Sequence, residues 1–153
     1  MTHAIVLIEA ERHAIPHLGG TVAFDWGWVK LVPAWHTAVS PNGAPHTPAG
    51  LLIHIGDRLV YHLGDTCLFS DLQLIARRGD HVDVALVPIG GHYTMDRIDA
   101  VVAVEFIGPA VVIPVHYDTF PPIETDAEAF KADVETSTAS DVQILQPGET
   151  FSA

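Results

Sequence analysis

Residues 50–63 read G-L-L-I-H-I-G-D-R-L-V-Y-H-L, two β-rich runs joined by Gly56-Asp57. The favoured two-residue hairpin turns need φ > 0 at the first central position or at both, which Gly and Asp tolerate, so the stretch predicts an antiparallel hairpin. Upstream, Thr21–Trp26 and Trp28–Pro33 flank a D-x-G turn at Asp25 to Gly27 and extend the pattern toward a β-meander. Gly19-Gly20 marks a turn. Before it, Ala4–Ile8 reads as a buried strand and Glu9–Leu18 as a short helix that Pro16 ends or kinks. Ser40–Ala49, with three prolines and a glycine, reads as a surface loop.

Downstream of Leu63 the pattern changes to strand, loop and helix. Ser70 and Gln73 fit a capping box opening a helix near 70–78, Asp83–Pro88 reads as a strand, and Thr94 can cap a helix with Ile98, Val101, Val102 and Phe106 on one face. Gly108-Pro109 should stop that helix. Ala110–Val115 is a buried strand, Thr125 and Glu128 form a second capping box ahead of Ala127, Phe130 and Val134, and Asp141–Leu145 is a last strand. Hairpins followed by β-α units predict an α/β architecture with mixed sheets and helices on an outer face. Neither Gly19-Gly20 nor Gly90-Gly91 belongs to a G-x-G-x-x-G or P-loop pattern, so nucleotide-binding folds gain no support.

The 153 residues suit one domain, 1–153, large enough to bury a core without disulfides. Cys67 is the sole cysteine, and no apolar run approaches the ~20 residues that span a bilayer, so a cytoplasmic protein with no membrane partner is the default. Seven Lys and Arg against nineteen Asp and Glu give a formal charge of −12, which disfavours nucleic acid as a partner. Ten histidines are the compositional oddity, and histidine is the commonest metal ligand.

Three polar groups stand where apolar strands stop. His36 ends V-K-L-V-P-A-W-H, Asp65 follows L-V-Y-H-L-G, and His116 ends A-V-V-I-P-V-H. Two imidazoles and a carboxylate suit zinc or a similar divalent ion. Taken singly, each is more often a hydrogen-bonded loop residue or an Asx turn than a ligand. No serine lies in G-x-S-x-G. His13 and His17 share H-x-x-x-H spacing without the metalloprotease glutamate, and read as an exposed helix face. His54 and His62 read as sheet residues, with His62 able to orient Asp65 from behind. Cys67, two residues after Asp65, reads as a buried structural thiol more often than as a thiol beside a metal, and Trp26, Trp28 and Trp35 read as core or sheet packing.

Taken together and in order, P-A-W-H, Y-H-L-G-D-T, L-V-P-I-G-G and I-P-V-H-Y-D-T-F-P-P-I resemble the metal-dependent hydrolases of the metallo-β-lactamase superfamily, most strongly from about Gly19 to Glu149. The branch also resembles ascorbate-phosphate lactonases and N-acyl-phosphatidylethanolamine phospholipases. The resemblance implies an αβ/βα sandwich with a metal site at one edge, His36 and His116 as ligands, and Asp65 bridging two cations. A bridging carboxylate holds such ions roughly 3.5–4 Å apart, and hydroxide held there attacks an ester, lactone or phosphoester of a small molecule. Zinc is the expected ion, with manganese as the alternative. His92 beside the site is expected to contact substrate or act as general acid, and is weaker as a replacement ligand, as is His46; Tyr117 and Thr119 are expected to line the pocket.

The superfamily's H-x-H-x-D-H motif does not occur in these residues; Thr2-His3 begins like it, but Ala4-Ile5 breaks the pattern. The expectation is therefore a sandwich incomplete at its N-terminus, with two ligands per ion where catalytic zinc generally has three, weak metal binding and impaired hydrolase activity. Alternatives are a non-catalytic remnant serving as a binding or assembly subunit, and one half of a split enzyme. An uncovered sheet edge would favour a homo-oligomer.

Overall fold

The computed structural model describes residues 17–39, 42–77 and 81–152. The expected strand at Ala4–Ile8 and nearly all of the helix at Glu9–Leu18 lie outside them. Nine strands follow in order: β1 (Thr21–Phe24), β2 (Gly27–Pro33), β3 (Ala38–Val39), β4 (Pro45–His46), β5 (Ala49–Ile55), β6 (Arg58–His62), β7 (Val84–Pro88), β8 (Val111–Val115) and β9 (Asp141–Val142). The helices are α1 (Gln73–Arg77), α2 (Arg97–Ile107) and α3 (Ala127–Ser137). The main sheet has seven strands in the order β1-β2-β5-β6-β7-β8-β9, and β3 and β4 form a small ribbon. Only β4 of that ribbon lies inside the expected proline-rich loop, β3 coming just before it, and the Asn42 side chain accepts from the Ala44 N–H.

The first four strands of the large sheet pair antiparallel and the last four parallel, with β6 common to both halves. α1, α2 and α3 supply the crossovers in the parallel half. The register lines up Leu52, Tyr61, Ala85, Val112 and Val142 in one row across five strands, and all five are buried. Helix residues Ala100, Ala103, Val104, Ile107, Phe130 and Val134 pack into the same core. The adjacent row, Leu51, His62, Leu86 and Ile113, points to the opposite face and is only half-buried. Both faces are thus largely apolar, as in sheets covered on two sides. The described residues form one sheet-and-helix layer of the expected sandwich.

Several helix details differ from the sequence reading. α2 is capped by Asp96, whose carboxylate accepts from the Asp99 N–H at 2.9 Å, and not by Thr94. It buries Ala100, Ala103, Val104 and Ile107, leaving Ile98 exposed; apolar residues surround this helix, so its buried face is ambiguous from spacing alone. Gly108 closes it in the left-handed conformation, as expected. α3 is capped by Asp126 instead of Thr125. No Ser70 capping box forms: Ser70–Leu72 is a 3₁₀ turn without a side-chain cap, and α1 is only five residues. β9 is only two residues; the Val142 carbonyl and N–H, which face away from β8, are taken by Lys131 and Glu135.

Candidate metal centre

Strands β2 and β6 both pair antiparallel with β5, so they run in the same direction, and β7 and β8 run parallel to β6. The C-terminal ends of β2, β6, β7 and β8 therefore collect at one end of the sheet, where α/β proteins display their chemistry. His36, Asp65, the Gly90–Met95 loop and His116 follow those four ends. The hairpin register that orients β2 and β6 is what brings the first histidine to the carboxylate.

His36 Nε2 lies 3.9 Å and His116 Nε2 3.8 Å from the same oxygen, Oδ2 of Asp65. The Asp65 side chain is 48% exposed, and the histidines are partly covered. Both separations are too long for hydrogen bonds. Donors held at about 2.0–2.1 Å around one tetrahedral ion stand roughly 3.3 Å from each other, so each of the two His–Asp separations is slightly wider than the spacing a shared cation imposes. Two imidazoles and a carboxylate are also the donor chemistry of zinc-type sites, and the residues fit a divalent metal. They do not close a cage: among the described residues, no group of three or more His, Cys, Asp or Glu is assembled to hold an ion unaided.

Each donor is aimed by its neighbours. Gly64 adopts φ +69°, and a Cβ there would lie 2.7 Å from the Ala49 carbonyl oxygen, so only glycine turns the chain from β6 into Asp65 without strain. The Gly64 N–H donates to His62 Nδ1 at 3.0 Å. His62 thus steadies the turn before Asp65; burial holds its imidazole pKa below the ordinary value, against the pull of the Asp65 charge. His116 is itself left-handed at φ 57°. With His92 (φ 42°) and Asp118 (φ 56°), it completes the non-glycine residues of positive φ among those described, a clustering typical of functional sites. His116 Nδ1 is buried with no hydrogen-bond partner among the described residues, so backbone and packing orient the ring.

Thr66, which sequence reasoning passed over, is fully buried. Its Oγ1 accepts from the Trp35 N–H at 2.9 Å and donates to the Cys67 carbonyl at 3.0 Å, while the Cys67 N–H donates to the Trp35 carbonyl at 3.0 Å. The only signal in the sequence was the third letter of G-D-T.

The remaining expected residues are placed as follows. His92 is exposed, edge-on to Tyr93 at 4.4 Å, on a loop fixed at one end by Gly90 against the His116 carbonyl and at the other by the Met95 N–H on the Thr66 carbonyl. Tyr117 packs on the core, and burial, with Asp118 and Glu128 nearby, raises its phenol pKa; this sets it toward α3, and no hydrogen bond or ring contact ties it to Asp65. Thr119 is exposed, and His46 sits in the β3–β4 ribbon. Cys67 is exposed, contrary to the buried reading; the buried position of this segment is taken by Thr66, between it and Asp65. Trp28 packs toward the core and stacks on His54, whereas Trp26 and Trp35 are exposed. An apolar groove lined by Trp28, Lys30, Val32, Leu52, Leu59 and Ile75 contains none of the candidate residues. No described helix is long and apolar enough to cross a membrane.

A mixed sheet with helices on one face and a His, Asp, His donor set at its strand ends defines an α/β domain of the metallo-β-lactamase type. The family model described as the beta-lactamase superfamily domain matches residues 3–116, and the chain belongs to that superfamily. A UPF0173 metal-dependent hydrolase of Thermus thermophilus is 46% identical over 147 residues, 93% of this chain and 64% of the relative. One from Staphylococcus aureus is 46% identical over 140 residues, covering 88% and 59%. Among solved structures, Igni18, a metallo hydrolase from Ignicoccus hospitalis, is 40% identical with a TM-score of 0.78, covering 89% of this chain and 58% of that one. The metallo-β-lactamase fold protein YhfI of Bacillus subtilis, at 12% identity and TM-score 0.67, shares the fold, covering 89% and 54%. The chain thus spans less than two thirds of these relatives.

Proposed function

We propose that this chain provides part of a cytosolic metal-dependent hydrolase site acting on an ester, lactone or phosphoester of a small molecule. The approach of His36 Nε2 and His116 Nε2 to one oxygen of Asp65, from three separate strand ends, carries the reading. His36 and His116 would donate through Nε2 and Asp65 through its carboxylate, holding zinc or, as the alternative, manganese. Such a cation supplies Lewis acidity and lowers the pKa of a bound water toward neutrality. His92, exposed on a loop anchored at both ends, would deliver a proton to a leaving group at the rim, with Thr119 as a further exposed polar contact. Tyr117 would serve this site through the backbone it shares with His116.

The test is titration of the chain with Zn²⁺ and Mn²⁺, beside His36→Ala and His116→Ala, with a screen of chromogenic esters, lactones and phosphodiesters. One weakly held ion, lost in both variants, is the expected result. Binding indifferent to both substitutions would overturn the site, and two tightly held ions would overturn the two-ligand account. A second reading, an assembly subunit, draws on the apolar face bearing Leu31, Leu51, Ile53, Leu86 and Ile113. It expects a homo-oligomer by size exclusion with light scattering; a clean monomer would count against it.

A further inference from the structure

We propose that Thr66 is a positioning residue whose hydroxyl sets the spacing between the His36 imidazole and the Asp65 carboxylate; the inference rests on the metal-site reading above. Thr66 and Ser140 are the buried polar residues among those described. Ser140 donates to the Pro109 carbonyl at 2.6 Å and holds together the segments before β8 and β9. Thr66 differs in what it joins: its Oγ1 takes the N–H of Trp35, the residue before His36, and Thr66 itself follows Asp65. The return bond, Cys67 N–H to Trp35 carbonyl, makes the joint two-pointed, so neither strand end can slide without breaking a partly buried hydrogen bond. The Thr66 carbonyl also receives the Met95 N–H at 3.1 Å, tying the His92 loop to the same residue.

β2 and β6 are not neighbours in the sheet; β5 lies between them. Beyond the end of β2, strand pairing no longer fixes the distance from His36 to Asp65, and the Thr66 hydroxyl substitutes for the missing ladder. Without it, the partly buried Trp35 N–H loses its acceptor, and the chain must shift to find another. A displacement of ~1 Å at a metal donor is enough to weaken a site.

The experiment compares Zn²⁺ affinity, by chelator competition, and the Co²⁺ visible spectrum for the full chain, Thr66→Val, Thr66→Ser, Ser140→Ala and His36→Ala, with folding checked by near-ultraviolet circular dichroism. Thr66→Val should bind Zn²⁺ about 10–100-fold more weakly, as loss of outer support typically does, with an altered Co²⁺ spectrum, while Thr66→Ser restores both and Ser140→Ala leaves both unchanged. If Thr66→Val does not fold, Thr66→Cys, with a weak acceptor in similar volume, is held to the same criterion. Unchanged affinity in the folded Thr66 variant, or equal weakening in Ser140→Ala, overturns the positioning role. Parent binding that ignores His36→Ala overturns the metal reading instead, and so identifies which of the two has failed.

Discussion

Gly90 lies so close to His116 that a Cβ on the glycine would sit 2.3 Å from the His116 carbonyl oxygen and 2.9 Å from Ile123 Cβ. The contact continues the parallel pairing of β7 with β8 past its last rung, where the Ile89 N–H donates to the Val115 carbonyl. Gly90→Ala must push these strand ends apart, and one of them carries a candidate ligand. The expected cost is about 1–3 kcal/mol of stability, as for overpacking, together with weakened metal binding. Thermal melts and Zn²⁺ titration of the same preparation check it; loss of stability alone would show that His116 tolerates the shift.

The left-handed backbone of His116 makes a separate prediction. His116→Asn and His116→Ala both delete the imidazole donor, and both should abolish the metal binding that depends on it. Asparagine accepts φ near 57° more readily than alanine, so the Asn variant should be the more stable by about 1 kcal/mol. Chemical denaturation of the two variants without metal would reveal it, and equal stabilities would mean that the backbone relaxes on losing the ring.

How far the sequence could reach is clearest from what lies adjacent in the chain. The Gly56-Asp57 turn announces β5–β6, and each of His36, Asp65 and His116 stands after an apolar run, so the strand ends and the polar residues that follow them were legible. Their meeting was not, because it depends on β5 inserting between β2 and β6. The helix starts were misplaced for a local reason: Thr94 and Thr125 each have an aspartate one or two residues later that captures the N–H three positions ahead. Thr66, Gly90 and the positive φ of His116 act through approaches between distant segments, for which a single chain carries no periodic signal.

That competition for the start of α2 can be measured. Asp96→Ala removes the carboxylate that accepts from the Asp99 N–H, and should cost about 1 kcal/mol. Thr94 Oγ1 is buried with no partner among the described residues, so Thr94→Val should be neutral or stabilising. Urea denaturation of the pair separates the two assignments. A larger loss at Thr94 would return the cap to the threonine.

Asp83 gives the fold an acid-sensitive joint. One carboxylate oxygen accepts from the Leu59 N–H at 2.7 Å, the other from Arg58 at 3.0 Å, fastening the segment before β7 to the start of β6. The Leu59 N–H is the main cause holding the Asp83 carboxyl below its ordinary pKa; burial opposes it, and Arg58 adds to the lowering. A folded-state pKa below the unfolded one means that the unfolded chain binds the proton more readily, so the contribution is complete above the unfolded value, about pH 3.9, and fades as pH falls through the folded one. Asp83→Ala should therefore be less stable than the parent by about 1–2 kcal/mol at neutral pH, and the gap should narrow below pH ~4 as the parent carboxylate protonates. Melting temperatures of both proteins from pH 7 to pH 3 check this, since the other carboxylates titrate in both and cancel in the difference. A gap that stayed constant to pH 3 would mean that Asp83 acts through shape and not through its charge.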